Sequence, residues 1–309
     1  MSGRLRSFAD SVYERLLRRE LDRTPSHIAV IQDGNRRYAS KENEEKTEGY
    51  REGAQTTEQI LHWCDELGID EVTLYTFSTE NFDRSEEQLE TLFDLITEKL
   101  YEFADADRVH EAEVHIRAIG DIDRLPERVQ EAVEYADRQT GDYDRLHLNI
   151  ALAYGGRAEL LDATRDIARR VQRGDVDPTA IDDETGSEAL YDGPTRDVDL
   201  IIRTGGDERT SNFLPWQANG NEAAVYFCAP YWPEFRKIDF LRGIRTYQHR
   251  ERSWRQTRAR RALALVRALG ATECAEATRV LQRFRDALPS SERETLDAEP
   301  LDERDPAAD

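Results

Sequence analysis

Asp33-Gly34-Asn35-Arg36-Arg37-Tyr38 gathers a carboxylate, a glycine and two guanidinium groups into one short stretch. A carboxylate can hold Mg²⁺, a hard cation that prefers carboxylate and phosphate oxygens. Glycine lets backbone N–H groups come close to an anion. Paired arginines neutralise phosphate through forked hydrogen bonds. A plain Asp-Gly turn with solvated arginines would use the same residues.

Three more segments carry groups of this kind. Phe77-Ser78-Thr79-Glu80-Asn81-Phe82-Asp83-Arg84 sets small polar groups, an amide and an arginine between aromatics. Ser85 and Gln88 have the spacing of a capping box for the helix that follows, which leaves the upstream polar cluster free for chemistry. Arg203-Thr204-Gly205-Gly206-Asp207-Glu208-Arg209-Thr210-Ser211 flanks two glycines with arginines and hydroxyls, the make-up of a phosphate cradle. Leu148–Ala151 leads to Tyr154-Gly155-Gly156-Arg157, where the glycines favour a packing role. Glu222 is a lone acid; in so acidic a chain, most such carboxylates are simply solvated.

These segments need elements to position them. Apolar runs at 27–32, 71–77, 113–120, 146–154, 197–204 and 223–228 read as six strands. Helical patterns lie at 1–24, 54–67, 85–100, 126–139 and 157–173, with a short helix inside 174–197 and further helices to about 287. Strands alternating with amphipathic helices predict an α/β fold, a six-stranded and mainly parallel sheet covered by helices. Such a sheet binds ligands at the carboxyl ends of its strands, and every motif above follows a strand. The expected organisation is an N-terminal helix (1–24), one catalytic domain (25–287) and an acidic, disordered tail (288–309).

The chain has 309 residues and a formal charge of −21, from 64 acidic and 43 basic residues. Lysine occurs only at 41, 46, 99 and 237. An acidic surface with arginine favoured over lysine indicates a high-salt, halophilic cytoplasm, where screening offsets self-repulsion. The same field disfavours nucleic acid, so any phosphate site must be built locally. Cys64, Cys228 and Cys274 form no CxxC pair and read as reduced, structural thiols. No apolar signal core or membrane span is evident, so a cytoplasmic protein is expected.

Taken in order, HIAVIQDGNRRYA, TLYTFSTENFDR, LNIALAYGGR and DLIIRTGGDERTSNFLPWQ resemble the signature blocks of the cis-prenyltransferases, over roughly residues 25–240. The DDxxD motifs of the all-helical trans-prenyltransferases are absent. The resemblance implies a Mg²⁺-dependent enzyme that adds isopentenyl diphosphate to an allylic primer, geranylgeranyl or farnesyl diphosphate. The product would be a long cis-polyprenyl diphosphate, a precursor of a glycosyl carrier lipid, grown in an apolar tunnel. It also implies a homodimer, and contact with a membrane surface on product release. Asp33 would hold the metal and promote loss of the allylic diphosphate, with Glu222 as the second metal carboxylate. Gly34, Asn35, Arg36 and Arg37 would bind that diphosphate with Tyr38 beside them, and Lys46 and Tyr50 would add contacts. Ser78, Thr79, Glu80, Phe82 and Arg84 would line the reacting region. Asn81 would orient water or the leaving group, since an amide is a poor base. Arg203, Arg209, Thr210 and Ser211 would bind isopentenyl diphosphate. The departures Gln32, Arg36, Lys46, Tyr50, Phe82, Gln88 and Glu208 cluster around the allylic site. A non-catalytic accessory subunit is the alternative. A nucleotide-binding or phosphohydrolase fold lacks its P-loop or Rossmann fingerprint here.

Overall fold

His27–Ile31 (β1) is buried at every position, as a strand covered on both faces must be. In the computed structural model, which describes residues 12–190, 196–218 and 223–268, β1 lies inside a six-stranded sheet. The other strands are Glu71–Tyr75 (β2), Val114–Ile119 (β3), Leu146–Ala151 (β4), Leu200–Arg203 (β5) and Ala224–Phe227 (β6). Their order is β3-β4-β2-β1-β5-β6, and every pairing is parallel. The sheet is therefore wholly rather than mainly parallel.

The strand order reverses direction at β1. Chain order runs outward from β1 through β2 toward β4 and β3 on one side, and through β5 to β6 on the other. Such a switch point opens a crevice beyond the strand carboxyl ends. Register then decides what meets there. Ile31, at the end of β1, pairs with Tyr75 on one side and Arg203 on the other. The DGN segment, the polar 78–84 segment and the Arg203 loop all leave the sheet side by side.

Asn35–Glu42 (α2) and Lys46–Leu67 (α3) follow β1. The predicted helix at 54–67 begins eight residues earlier than its pattern suggested. Gly49 and Gly53, which lie ahead of the predicted start, are one turn apart on a single face. A Cβ on Gly49 would stand 2.3 Å from the Asn35 carbonyl oxygen, and one on Gly53 2.4 Å from Asn35 Oδ1. The glycines let α3 pack directly on the start of α2.

Glu86–Ala104 (α4) and Glu127–Thr140 (α6) cover one sheet face, burying Leu92, Phe93, Ile96 and Val129 against Val72, Leu74, Ile116 and Leu148. Asp107–Glu111 (α5), which the pattern did not indicate, lies between them. Ser85 is the N-cap of α4, but its side chain makes no capping bond, and nothing in the structure explains why. The capping box instead joins Ser78 and Asn81 at the short 3₁₀ turn Thr79–Asp83.

Near the site, the other face is closed by a loop rather than a helix. Phe213 stacks on Tyr75 with ring centroids 4.4 Å apart, and Tyr154 meets both edge-on. Gly156–Arg173 (α7) buries only Gly156 and Ala163, and Asp183–Leu190 (α8) packs beside it. A Cβ on Gly156 would sit 2.0 Å from Pro215 Cδ, so this Gly-Gly pair does serve packing.

Helical residues 12–20 (α1) bury Leu17 against Ile238 and Leu241 of Lys237–Ala268 (α9). The chain divides into two compact units after Gln248, the first holding the sheet; the second, from His249, is helical as far as it is described. Residues 1–11 of the predicted N-terminal helix, Cys274 and the tail at 288–309 lie outside the described residues, as does the region 269–287.

Candidate active site

Arg203 is only 2 % exposed at the end of β5, yet it carries a full charge. Its guanidinium is surrounded by acceptors. One terminal nitrogen donates to the Arg209 carbonyl at 2.5 Å and to Ser211 Oγ at 2.6 Å. The other donates to Asp33 Oδ2 at 2.7 Å and to Asp207 Oδ2 at 3.3 Å. Buried charge is tolerated when it is paired in this way. Arg203 Nε is buried without a partner.

Asp33 is the matching acid. Partial burial works against its ionisation, but the bond from Arg203 and the charges of Arg37 and Arg203 outweigh that, and the carboxyl is held below its ordinary value. Arg37 lies 3.1 Å from Asp33 Oδ1. The backbone of Asp33 is fixed too: its N–H donates to Thr204 Oγ1 at 3.0 Å, and its carbonyl accepts from Thr204 Oγ1 at 2.7 Å and from Trp232 N at 3.0 Å. Gly34 has a φ of 106°, a left-handed value that favours glycine.

Sequence reading gave Asp207 no role, although it was visible between arginines. Its Oδ2 lies 3.3 Å from both Arg203 and Arg209 and 3.8 Å from Arg37. One carboxylate thus gathers three arginines, Arg37 of α2, Arg203 at the end of β5 and Arg209 of the loop that follows it. Thr204, Tyr231 and Trp232 were also missed. Their only sequence signal is position: Thr204 follows β5, and the aromatic pair lies soon after β6.

Two spaces meet above these groups. An open cleft of about 680 Å³ is lined by Gln32, Asp33, Gly34, Asn35, Arg36, Arg37, Ser40, Lys41, Lys46, Tyr50, Arg84, Asp207, Arg209 and Tyr231. Six cationic side chains face two carboxylates there, the reverse of the chain's overall balance. A second cavity of about 350 Å³ continues inward. Its polar mouth holds Asp33, Ser78, Glu80, Asn81, Arg203 and Ser211, and its inner wall is Leu74, Leu92, Leu95, Ile96, Leu100, Phe103 and Ile150. Gln32, Asp33, Asn35, Arg36, Tyr50, Arg84 and Arg209 border both spaces. Tyr50 and Arg84 are linked, with Arg84 donating to the Tyr50 hydroxyl at 3.0 Å.

Not every predicted residue reaches these spaces. Tyr38 faces acidic neighbours, where burial and then the charge of Glu52 raise its hydroxyl. Thr79 packs on Gly155 and donates its N–H to the Tyr154 carbonyl. Phe82 packs edge-on against Phe77, beneath the Arg124 guanidinium. The Thr210 carbonyl accepts from Phe213 N. None of these four lines either space. Glu222 lies outside the described residues. Asn81 does line the cavity, but its Oδ1 accepts from Ser78 N at 3.3 Å, which leaves Nδ2 as its donor.

A cationic cleft leading into an apolar cavity suits a molecule with a polyanionic head and a hydrocarbon tail. The family model described as putative undecaprenyl diphosphate synthase matches residues 31–255. The chain belongs to this family of cis-prenyltransferases. A tritrans,polycis-undecaprenyl-diphosphate synthase (geranylgeranyl-diphosphate specific) of Haloarcula marismortui is 67% identical over 299 residues, covering 97% of this chain and 98% of the relative. The protein of the same name from Halobacterium salinarum is 63% identical, covering 94% and 95%. Among solved structures, lavandulyl diphosphate synthase from Lavandula x intermedia, in complex with dimethylallyl diphosphate, superposes with a TM-score of 0.67 at 32% identity, covering 72% of this chain and 95% of that one.

The prenyltransferase condenses isopentenyl diphosphate onto an allylic diphosphate primer. Its acidic, arginine-rich surface accords with the haloarchaeal source of the two relatives. Among the described residues, no helix is long and apolar enough to cross a membrane.

Proposed function

We propose that the primer is geranylgeranyl diphosphate, with its diphosphate in the cleft on Arg36, Arg37, Lys46 and Arg84 and its chain in the apolar cavity. The observation that carries this reading is the contiguity of the two spaces at Asp33, Tyr50 and Arg84. The names of the haloarchaeal relatives support the choice of primer. The product is a long cis-polyprenyl diphosphate, and the cavity is the start of the tunnel that receives it.

Arg203, Arg209 and Ser211 hold the diphosphate of isopentenyl diphosphate beside Asp33. Binding there brings the alkene and the allylic carbon together, which converts a bimolecular encounter into a positioned one. The cleft arginines stabilise the charge that develops on the departing diphosphate. Asn81 Nδ2 donates toward that diphosphate and takes no proton. Tyr38, Thr79, Phe82 and Thr210 frame the site without touching substrate.

Mg²⁺ fits this donor set. The described residues contain no cluster of three or more potential ligands. Mg²⁺ commonly takes only one or two protein carboxylates and completes its shell with phosphate oxygens and water. Asp33, held ionised at the cleft rim, is such a carboxylate, and Glu222 is the candidate for a second. Once bound, the metal would neutralise diphosphate charge.

The enzyme works as a cytoplasmic homodimer that touches a membrane surface only to release product, which serves as a glycosyl carrier precursor. Residues 25–287 form its catalytic domain. Labelled isopentenyl diphosphate, supplied with geranyl, farnesyl or geranylgeranyl diphosphate in Mg²⁺ and high KCl, tests the reading. Long product is expected most efficiently from geranylgeranyl diphosphate and not from Asp33→Ala. Preference for a shorter primer would overturn the assignment.

A further inference from the structure

The turn after β6 grips the DGN loop at several points that no sequence motif indicated. Trp232 N–H donates to the Asp33 carbonyl at 3.0 Å, and its indole N–H donates to the Gly53 carbonyl at 2.7 Å. Glu234 pairs with Lys41 of α2. Tyr231 lies against Gly34, where an added Cβ would stand 2.6 Å from its ring carbon Cδ1. The Arg37 guanidinium carbon is 5.3 Å from the centre of the same ring. On another side, a Cβ on Gly205 would meet an Arg37 terminal nitrogen at 2.6 Å. The guanidinium is thus bounded by the Tyr231 ring, the Gly205 backbone and the Asp33 carboxylate.

An unrestrained arginine samples many rotamers and must lose that freedom to bind an anion. Arg37 is 43 % exposed at its side chain, and its pairs with Asp33 at 3.1 Å and Asp207 at 3.8 Å both fall on one terminal nitrogen, so the two carboxylates hold that corner and leave the plane of the guanidinium free to tilt. An aromatic face under the guanidinium limits its tilt while leaving its edge N–H groups open to the cleft. We infer that Tyr231 is a positioning residue for the primer diphosphate: its ring holds Arg37 and the Gly34 turn in the geometry that receives the phosphate. The inference rests on the reading that Arg37 binds this diphosphate.

Steady-state kinetics on the full chain in high KCl test it, with inorganic pyrophosphate as a competitive probe. Tyr231→Leu raises the primer KM and the pyrophosphate inhibition constant about fivefold. The KM for isopentenyl diphosphate stays within about twofold of wild type, by the same free-energy scale. Tyr231→Phe, which keeps the ring, retains most of the affinity. In an Arg37→Ala background, Tyr231→Leu adds nothing further, because the group it orients is gone. Should Tyr231→Leu lose its thermal transition, Tyr231→Met keeps bulk over Gly34 and is measured in its place. An unchanged primer KM in the ring-less variant overturns the inference, as does an equal rise in the Arg37→Ala background. If Arg37→Ala alone leaves the primer KM unchanged, the diphosphate reading of Arg37 fails and takes the inference with it. That result is separable from an impaired Arg37→Ala beside an unimpaired Tyr231→Leu, which refutes Tyr231's role alone.

Discussion

Asp33 and Arg203 are 170 residues apart in the chain, and their side chains meet at 2.7 Å. The contact exists because β1 and β5 are parallel neighbours with Ile31 in register with Arg203. Asp33 leaves its strand two residues later, directly beside the buried guanidinium.

Replacing Arg203 tests how much rests on that pair. Arg203→Lys cannot reach Asp33, Asp207, Ser211 and the Arg209 carbonyl together, because an ammonium lacks the planar fork. Turnover is expected to fall by about 100-fold or more, as when a preorganised donor is removed. Arg203→Met also takes the buried guanidinium from Asp33 and Asp207, but both carboxylates are about a third exposed and keep Arg37 or Arg209 nearby, so the stability cost should fall below the ~3–5 kcal/mol of a fully buried pair. Chemical denaturation in KCl measures the second effect separately from the first.

Gly34→Ala should damage the site and stability together. The backbone at φ 106° disfavours an L-residue, and the new methyl would collide with Tyr231. A cost of about 1–3 kcal/mol is expected for backbone strain alone. A shift of the denaturation midpoint with weaker pyrophosphate inhibition is the predicted pattern; wild-type behaviour in both would contradict the turn geometry.

Leu95 tests the apolar cavity as the chain's receptacle. It lines the inner wall on α4 beside the buried Ile96. Leu95→Trp should fill part of the space and shorten the product distribution, while pyrophosphate inhibition stays within about twofold of wild type. Thin-layer separation of dephosphorylated products reads the change. An unaltered chain-length profile would remove this cavity from the path of the product.

Glu159, in the first turn of α7, gives a pH-dependent prediction away from the chemistry. Burial pushes its carboxyl up to about 7, although the Tyr154 hydroxyl donates to it at 2.5 Å. The folded value lies above the ordinary value of 4.5. Stability from this group is therefore fully present below about 4.5 and is lost as pH rises through about 7. Glu159→Gln should add about 1–3 kcal/mol above pH 7 and little below pH 5, measured by denaturation at a series of pH values.

The chemistry of each site segment was legible because it is local. Asp33, Arg36, Arg37 and Arg203 announced anion binding by type and spacing, and the apolar runs located all six strands of the sheet. The start of α3 was not legible, since what Gly49 and Gly53 do in a helix shows only once α2 is packed on them. The place of the capping box was misread for a related reason: whether a serine caps a helix depends on the path of the backbone that enters it, and Ser85 bears no capping bond while Ser78 and Asn81 form the box.

By itself the sequence determined the α/β alternation, the order of the motifs and the kind of anion they could bind, since side-chain chemistry and periodicity are properties of the chain. Only the tertiary structure decided which motifs share a site. Parallel register at the β1 switch point joins Asp33 to Arg203, gathers three arginines on Asp207 and sets Tyr231 beneath Arg37. The Asp33–Arg203, Arg37–Asp207 and Arg37–Tyr231 contacts span separations over which a sequence carries no distance information, so strand order and register had to supply it.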